Sequence, residues 1–292
     1  MAKIDLVFND IDGCFGSFKK PKTYPEKQSL AGHEGLLARI KAFVEAHPNV
    51  RFSACTGRSL YLCDNIIEAT GMNEVSAVEM GQEIYNPATG ECYGLLAIVR
   101  PELAAVGAEL RQFIADTDSF ENEIQAALSG SGIKRLKDNR NMLTYEFKPV
   151  SEGGITGDQV YGFLKPRLPE SVKAEIAAGG IKVVVSKAAI DIRPNIAKGE
   201  AIMHILEKLG RNTASRRDFL QALVGRKKQT GEGCLGIGDS YHSDIDMLKC
   251  CEHVACPANS DDKLKDYVSG RKGYIAGQPF GDGVLEIYGK LI

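Results

Sequence analysis

No apolar run in this sequence of 292 residues approaches the ~20 residues of a membrane span. Its start, Met1-Ala2-Lys3-Ile4-Asp5, leads straight into strand-like residues, with no apolar segment of signal-peptide type. The expectation is a cytoplasmic protein. The chain also lacks a dominant charge. Its 36 Lys and Arg against 38 Asp and Glu leave a formal net charge of −2, so no overall basic field points to nucleic acid or an anionic membrane. Cysteine is present but has no framework: the eight residues between Cys14 and Cys256 are irregularly spaced and read as reduced, mostly buried thiols. The group Cys250-Cys251-Glu252-His253 with Cys256 lacks the second ligand pair that a structural zinc site needs. There is no internal repeat and no low-complexity tract. Glycines at 231, 233 and 236 match the dinucleotide fingerprint formally. They precede a strand instead of following it, so the motif's mechanics fail.

What is present is ordinary material for a soluble globular enzyme, 43% hydrophobic and 25% charged, long enough for two modest domains or one large one. The informative features are strand ends. Ile4, Leu6, Val7 and Phe8 make an apolar run that stops at Asp10-Ile11-Asp12-Gly13, the pattern of a buried parallel strand delivering its carboxyl end to a loop. In open α/β sheets that edge is where ligands bind. Two carboxylates there repel each other and call for a hard cation, although Asp-x-Asp-Gly alone reads equally as a helix cap or an Asx turn. A polar loop follows, Gly16 to Ser29, with two prolines and four lysines. Leu36, Leu37, Ile40, Phe43 and Val44 predict a helix over 33–47, ended by Pro48.

A second strand, Val50 to Cys55, ends in Thr56-Gly57-Arg58-Ser59 and a helix. A hydroxyl, a glycine and a helix N-terminus can cradle an oxyanion; plain N-capping by Thr56 or Ser59 is the alternative. Residues 75–85 predict a short hairpin turning at Gly81. From about 86 to 187, helices (103–115, 119–128, 157–168) alternate with strands (142–147, 181–185), the texture of an inserted α+β module. The run Val183 to Pro194 is expected to lead back to the first domain, where Lys198 opens a helix beside the positive end of its dipole. A cation is unfavourable there unless an anion sits nearby. The stretch Arg211 to Lys228 is basic and partly helical. A third strand, Gly233 to Gly238, ends in Asp239, with Ser243 and Asp244 close behind, and the tail adds a strand or two to the sheet edge.

In order and spacing, Asp10/Asp12, Thr56-Gly57-Arg58, Lys198-Gly199 and Gly238-Asp239 with Asp244 resemble the four motifs of the haloacid dehalogenase-like phosphohydrolases. The long insertion between the second and third resembles the larger cap of the sugar-phosphatase branch, which includes the mannosyl-3-phosphoglycerate, sucrose-phosphate and trehalose-phosphate phosphatases. The resemblance implies a Rossmann-like doubly wound parallel sheet, α/β in class, with a discontinuous core at 1–84 and 190–292 and an α+β cap at 85–189. It implies a Mg²⁺-dependent phosphatase acting on a small phosphorylated metabolite, a sugar or glycerate phosphate. Asp10 would be the nucleophile and Asp12 the general acid and base. Asp10, Asp239 and the Asp12 backbone carbonyl would hold Mg²⁺. Thr56, Gly57 and Lys198 would hold the phosphoryl oxygens, with Ser243 and Asp244 behind the metal ligands. Lys148, Lys187, Arg193 and Glu146 are cap candidates for contacting the leaving group.

Three features depart from the pattern. Cys14 replaces the usual threonine or valine, the fourth motif is one residue longer, and the 16–29 loop is long. A phosphomutase resembling phosphomannomutase is the alternative reaction. It would need a cluster of cap arginines, and Arg100, Arg111, Arg135, Arg140 and Arg167 form none in sequence. A non-catalytic phosphometabolite-binding protein is the alternative outside enzymes, and it has little use for Asp12.

Overall fold

The computed structural model describes residues 3–18, 27–211 and 231–292. Most of the Gly16–Ser29 loop and nearly all of the basic Arg211–Lys228 stretch lie outside the described residues. The chain divides into two compact units, Met1–Tyr93 with Ala197–Ile292, and Gly94–Ile196.

The first unit opens with β1 (Leu6–Asn9), all four residues buried, as an apolar run covered on both faces requires. Helix α1 (Glu34–Ala46) buries Leu37, Ile40 and Val44, an i, i+3, i+7 stripe. Strand β2 (Arg51–Ala54) runs parallel to β1, with Leu6 opposite Arg51 and Asn9 opposite Ala54. Helix α2 (Leu60–Thr70) stops at Gly71, whose left-handed φ of 68° closes the last turn. Strands β3 (Ser76–Val78) and β4 (Glu83–Asn86) pair antiparallel and, with β5 (Glu91–Gly94), form a small three-stranded sheet. The β3–β4 turn holds three successive left-handed residues, Glu79, Met80 and Gly81.

The second unit contains α3 (Leu96–Val99), α4 (Ala104–Asp116), α5 (Glu121–Ala127), β6 (Lys134–Arg135), β7 (Leu143–Glu146), α6 (Gly157–Leu164), α7 (Glu170–Ala178), β8 (Ile181–Val185) and β9 (Ala189–Pro194). Its four strands make an antiparallel sheet in the order β6-β7-β9-β8. Leu143, Tyr145, Ile190 and Ile192 share one core with Leu110, Ile114, Val160, Leu164 and Val172 of the helices. Here one expectation is corrected. Val183–Pro194 does not lead back to the first unit: it is a hairpin inside the second. The Ser186 backbone N–H donates to the Ala189 carbonyl, and the Ala189 N–H donates to Ser186 Oγ, which closes a tight turn between two β-branched runs. Strand β9 then pairs on both sides, with β7 and β8, so residues 190–194 belong to this sheet. The units accordingly divide after Tyr93 and Ile196 instead of after residues 84 and 189.

The chain re-enters the first unit at α8 (Lys198–Lys208) and continues through β10 (Gly231–Ile237), α9 (Tyr241–Cys250), β11 (Cys251–Cys256), α10 (Asp262–Gly270), β12 (Tyr274–Ile275) and α11 (Phe280–Leu291). The main sheet is parallel, in the order β12-β11-β10-β1-β2. Val7 packs with Leu37, Ile40, Ile66, Val284 and Tyr288 on one face of the sheet. The chain winds from β1 outward to β2 on one side and from β10 to β12 on the other. β1 therefore sits at a topological switch point, where the carboxyl ends of the strands leave a crevice. No described helix is long and apolar enough to cross a membrane.

Candidate active site

Register alone brings three of the strand ends together. β1 pairs Asn9 with Ile237 of β10 and with Ala54 of β2. The Asp10 N–H then donates to the Ile237 carbonyl (2.9 Å), and the Cys55 N–H to the Asn9 carbonyl (2.8 Å). Asp10, Thr56 and Asp239 therefore leave the sheet at the same edge.

The centre of the cluster is an ammonium. Lys198 is 2% exposed and donates to Asp10 Oδ1 (2.9 Å) and Asp244 Oδ1 (2.8 Å). This answers the oddity of a lysine at a helix start: the dipole's cost is offset by two buried carboxylates. Asp244 is fully buried. Its Oδ1 also accepts from Ser243 Oγ (3.1 Å), and its Oδ2 accepts from the backbone N–H groups of Asp239 (2.9 Å) and Ser240 (3.0 Å). With about four acceptor positions on a carboxylate, Asp244 is saturated by the protein. Its work is to hold Lys198 and the 239–240 turn.

Oxygens of Asp10, Asp239 and Asp244 lie within 4.8 Å of one another, the one such group of metal-ligating side chains among the described residues. One ammonium against three carboxylates leaves the group short of positive charge. Their titration reflects burial foremost, with the neighbouring carboxylates adding to it. Burial pushes Asp10 well above the ordinary carboxylate range, with Lys198 pulling it back and Asp244 and Asp239 adding to the rise. Burial and then the Asp244 charge push Asp239 up to about 7. For Lys198, burial works against the charge, but Asp10 and Asp244 outweigh it and hold the ammonium well above its usual value. With Asp244 satisfied by the protein, the carboxylate oxygens of Asp10 and Asp239 remain as hard donors that fit a divalent cation.

Close approach depends on glycine at two positions. A Cβ on Gly13, which has a φ of +72°, would lie 1.9 Å from Asp239 Oδ2, and one on Gly238 would lie 2.6 Å from Asp244 Oδ2. The Gly13 carbonyl is held by Asn259 Nδ2 (2.8 Å). Thr56 Oγ1 accepts the Arg58 N–H (3.2 Å), which shapes the loop and leaves the hydroxyl proton to donate elsewhere. Gly57 lies under the Met80 sulfur, 2.9 Å from where its Cβ would be.

Asp12 stands apart. Its carboxylate, half exposed, is gripped by Arg58, with Nε to Oδ2 and Nη2 to Oδ1, both at 2.7 Å. Sequence reasoning reads Arg58 only as the third residue of Thr56-Gly57-Arg58. The available signal was an arginine at one strand end beside an unpaired acid at the next, a pairing that guanidinium geometry favours. Cys14 is fully buried in the apolar core, and burial, followed by the charge of Asp10, pushes its thiol well up, which makes it inert packing. Cys250, Cys251 and Cys256 are free and buried.

The structure does not gather the cap candidates. Lys148 and Lys187 are exposed at the end of the sheet where Phe147 N–H meets the Ala188 carbonyl. Arg193 is at the other end, buried, donating through Nη1 to the Ile196 carbonyl (2.8 Å). Glu146 is half-buried, opposite Ala189.

No protein-family model matches the chain, and no curated protein matches it in sequence. Solved structures do match in fold. The sucrose-phosphatase from Synechocystis, in complex with sucrose and phosphate, superimposes with a TM-score of 0.54 at 17% identity, over 99% of this chain and 98% of that one. A haloacid dehalogenase-like hydrolase from Bacteroides thetaiotaomicron gives 0.54 at 17% identity, over 99% and 100%. A protein from Thermoplasma acidophilum gives 0.55 at 14% identity, over 99% and 98%. The likeness covers both units.

Proposed function

We propose that this chain, which has the haloacid dehalogenase-like fold, is a Mg²⁺-dependent phosphatase that hydrolyses small phosphorylated metabolites through an aspartyl-phosphate. The observation that carries the proposal is Lys198 bridging Asp10 and Asp244, with Asp239 alongside, at the carboxyl edge of the sheet's switch point.

The placement of these residues supports the following roles. An Asp10 oxygen attacks phosphorus and the bond to the leaving oxygen breaks, forming the acyl phosphate. Asp12, protonated on an oxygen released from Arg58, gives that proton to the departing oxygen, then takes one from the water that attacks phosphorus and releases Asp10. Lys198 keeps Asp10 oriented and, with Thr56 Oγ1 and the Gly57 N–H, faces the charge that spreads over the equatorial oxygens. Held by Asp10, Asp239 and the Asp12 carbonyl, a divalent cation such as Mg²⁺ would offset the repulsion between carboxylate and phosphate.

A sugar or glycerate phosphate is the proposed substrate class, supported by the fold shared with sucrose-phosphatase. A phosphomutase is disfavoured because two of the five candidate arginines are engaged within the protein. Arg135 is buried and bound to the Ile114 carbonyl (2.6 Å), and Arg167 stacks 3.7 Å from the Phe163 ring centre while pairing with Glu123.

The test is phosphate release from a panel of sugar and glycerate phosphates, with and without Mg²⁺, for wild type and Asp10→Asn. Mg²⁺-dependent release that Asp10→Asn abolishes supports the reading. Isomerised products without phosphate replace it with the mutase, and metabolite binding with neither outcome replaces it with a binding protein.

A further inference from the structure

Arg58 is 4% exposed, and its guanidinium makes four hydrogen bonds, only two of them to Asp12. Nη1 donates to Gln28 Oε1 (2.7 Å) and Nη2 donates also to the Phe18 carbonyl (3.1 Å). The ring of Phe18 lies beneath the guanidinium, with its centre 5.6 Å away. Gln28 is 3% exposed and is itself seated on α2: its carbonyl accepts from Asn65 Nδ2 (2.6 Å), and its neighbour Lys27 pairs with Asp64 (2.6 Å). A buried glutamine whose backbone is tied down and whose side chain grips a buried arginine is a costly arrangement unless the arginine's orientation matters.

A fork of two N–H groups fixes a carboxylate only if the plane of the guanidinium is fixed. The Asp12 side of that plane is half exposed, and without backing the long arginine would pivot about its own side chain. Gln28 supplies the backing at Nη1, and Phe18 supplies it through its carbonyl at Nη2 and its ring beneath the guanidinium. We infer that Gln28 is a positioning residue, which sets the place of Asp12 by fixing the guanidinium of Arg58. The inference rests on the phosphatase reading of Asp12 and adds to it a residue from the long 16–29 loop.

A series of substituted phenyl phosphates, from 4-nitrophenyl phosphate to phenyl phosphate, tests it with Mg²⁺ present. The shape of the substrate stays constant while the leaving group's need for a proton rises, and kcat/KM reports only the steps up to loss of the phenol. Wild type is expected to show a shallow dependence on the leaving group and Asp12→Asn a steep one. Gln28→Leu is expected to lose about tenfold on phenyl phosphate and less than about twofold on 4-nitrophenyl phosphate, a fraction of the ~10²–10⁴ that proton transfer contributes. Gln28→Glu keeps an acceptor for Nη1 and is expected to restore the shallow slope. A uniform loss across the series in Gln28→Leu, or an unchanged slope, overturns the positioning role while leaving the phosphatase intact. Absence of phosphate release from every member by wild type overturns the phosphatase reading and the inference together.

Discussion

Gly13 and Asp239 occupy the same space to within one methyl group: a Cβ on Gly13 would lie 1.9 Å from Asp239 Oδ2. The loop after β1 and the loop after β10 can meet only because one of them carries no side chain, and that meeting sets the distance between the acids.

Gly13→Ala is therefore expected to hit activity harder than stability. The left-handed φ of +72° costs an alanine about 1 kcal/mol, and the clash forces Asp239 away from Asp10. Phosphate release should fall by about a hundredfold, as expected for a reacting group displaced by ~1 Å. Urea unfolding should show a loss of only about 1–3 kcal/mol. A variant with near-normal turnover would refute the fit.

Replacing Lys198 is expected to damage stability and activity together. Lys198→Met leaves Asp10 and Asp244 buried without their shared cation. Removing one partner of a buried ion pair costs about 3–5 kcal/mol, so the denaturation midpoint should drop strongly while turnover disappears. Adding Mg²⁺ should recover part of the stability, read as a rise in melting temperature with Mg²⁺ concentration, without recovering turnover.

The third prediction follows from Asp239, whose carboxyl is pushed up to about 7, chiefly by burial. In the unfolded chain it titrates near the ordinary value of about 3.9. Between about pH 4 and pH 7 the folded state then binds more protons than the unfolded one, so the contribution of this group to stability falls as pH rises through that window. In metal-free protein, the melting temperature of wild type relative to Asp239→Asn should decline from pH 4 to pH 7. Because a metal ligand must be ionised, Mg²⁺ affinity should weaken as pH falls below 7, measurable by calorimetry at several pH values. A pH-independent affinity across that range would contradict the shift.

Much of the scaffold was legible in the sequence, because burial patterns are local. Four consecutive buried residues in β1, the Leu37/Ile40/Val44 stripe of α1 and the acids standing after apolar runs are written in adjacent positions. The same holds for Lys198, whose awkward place at a helix start signalled a missing anion.

What the tertiary structure decided is pairing. Lys198 meets Asp10 across 188 residues and Asp244 across 46, and Arg58 meets Asp12 across 46 and Gln28 across 30. The hairpin of β8 and β9 is not legible in sequence because an apolar β-branched run looks the same in either sheet, and only the partners on both sides of β9 assign it. Sequence periodicity specifies which face of an element is apolar. Which distant side chains share a hydrogen bond depends on strand register and on where a glycine lets two loops touch, and neither is encoded within a single segment.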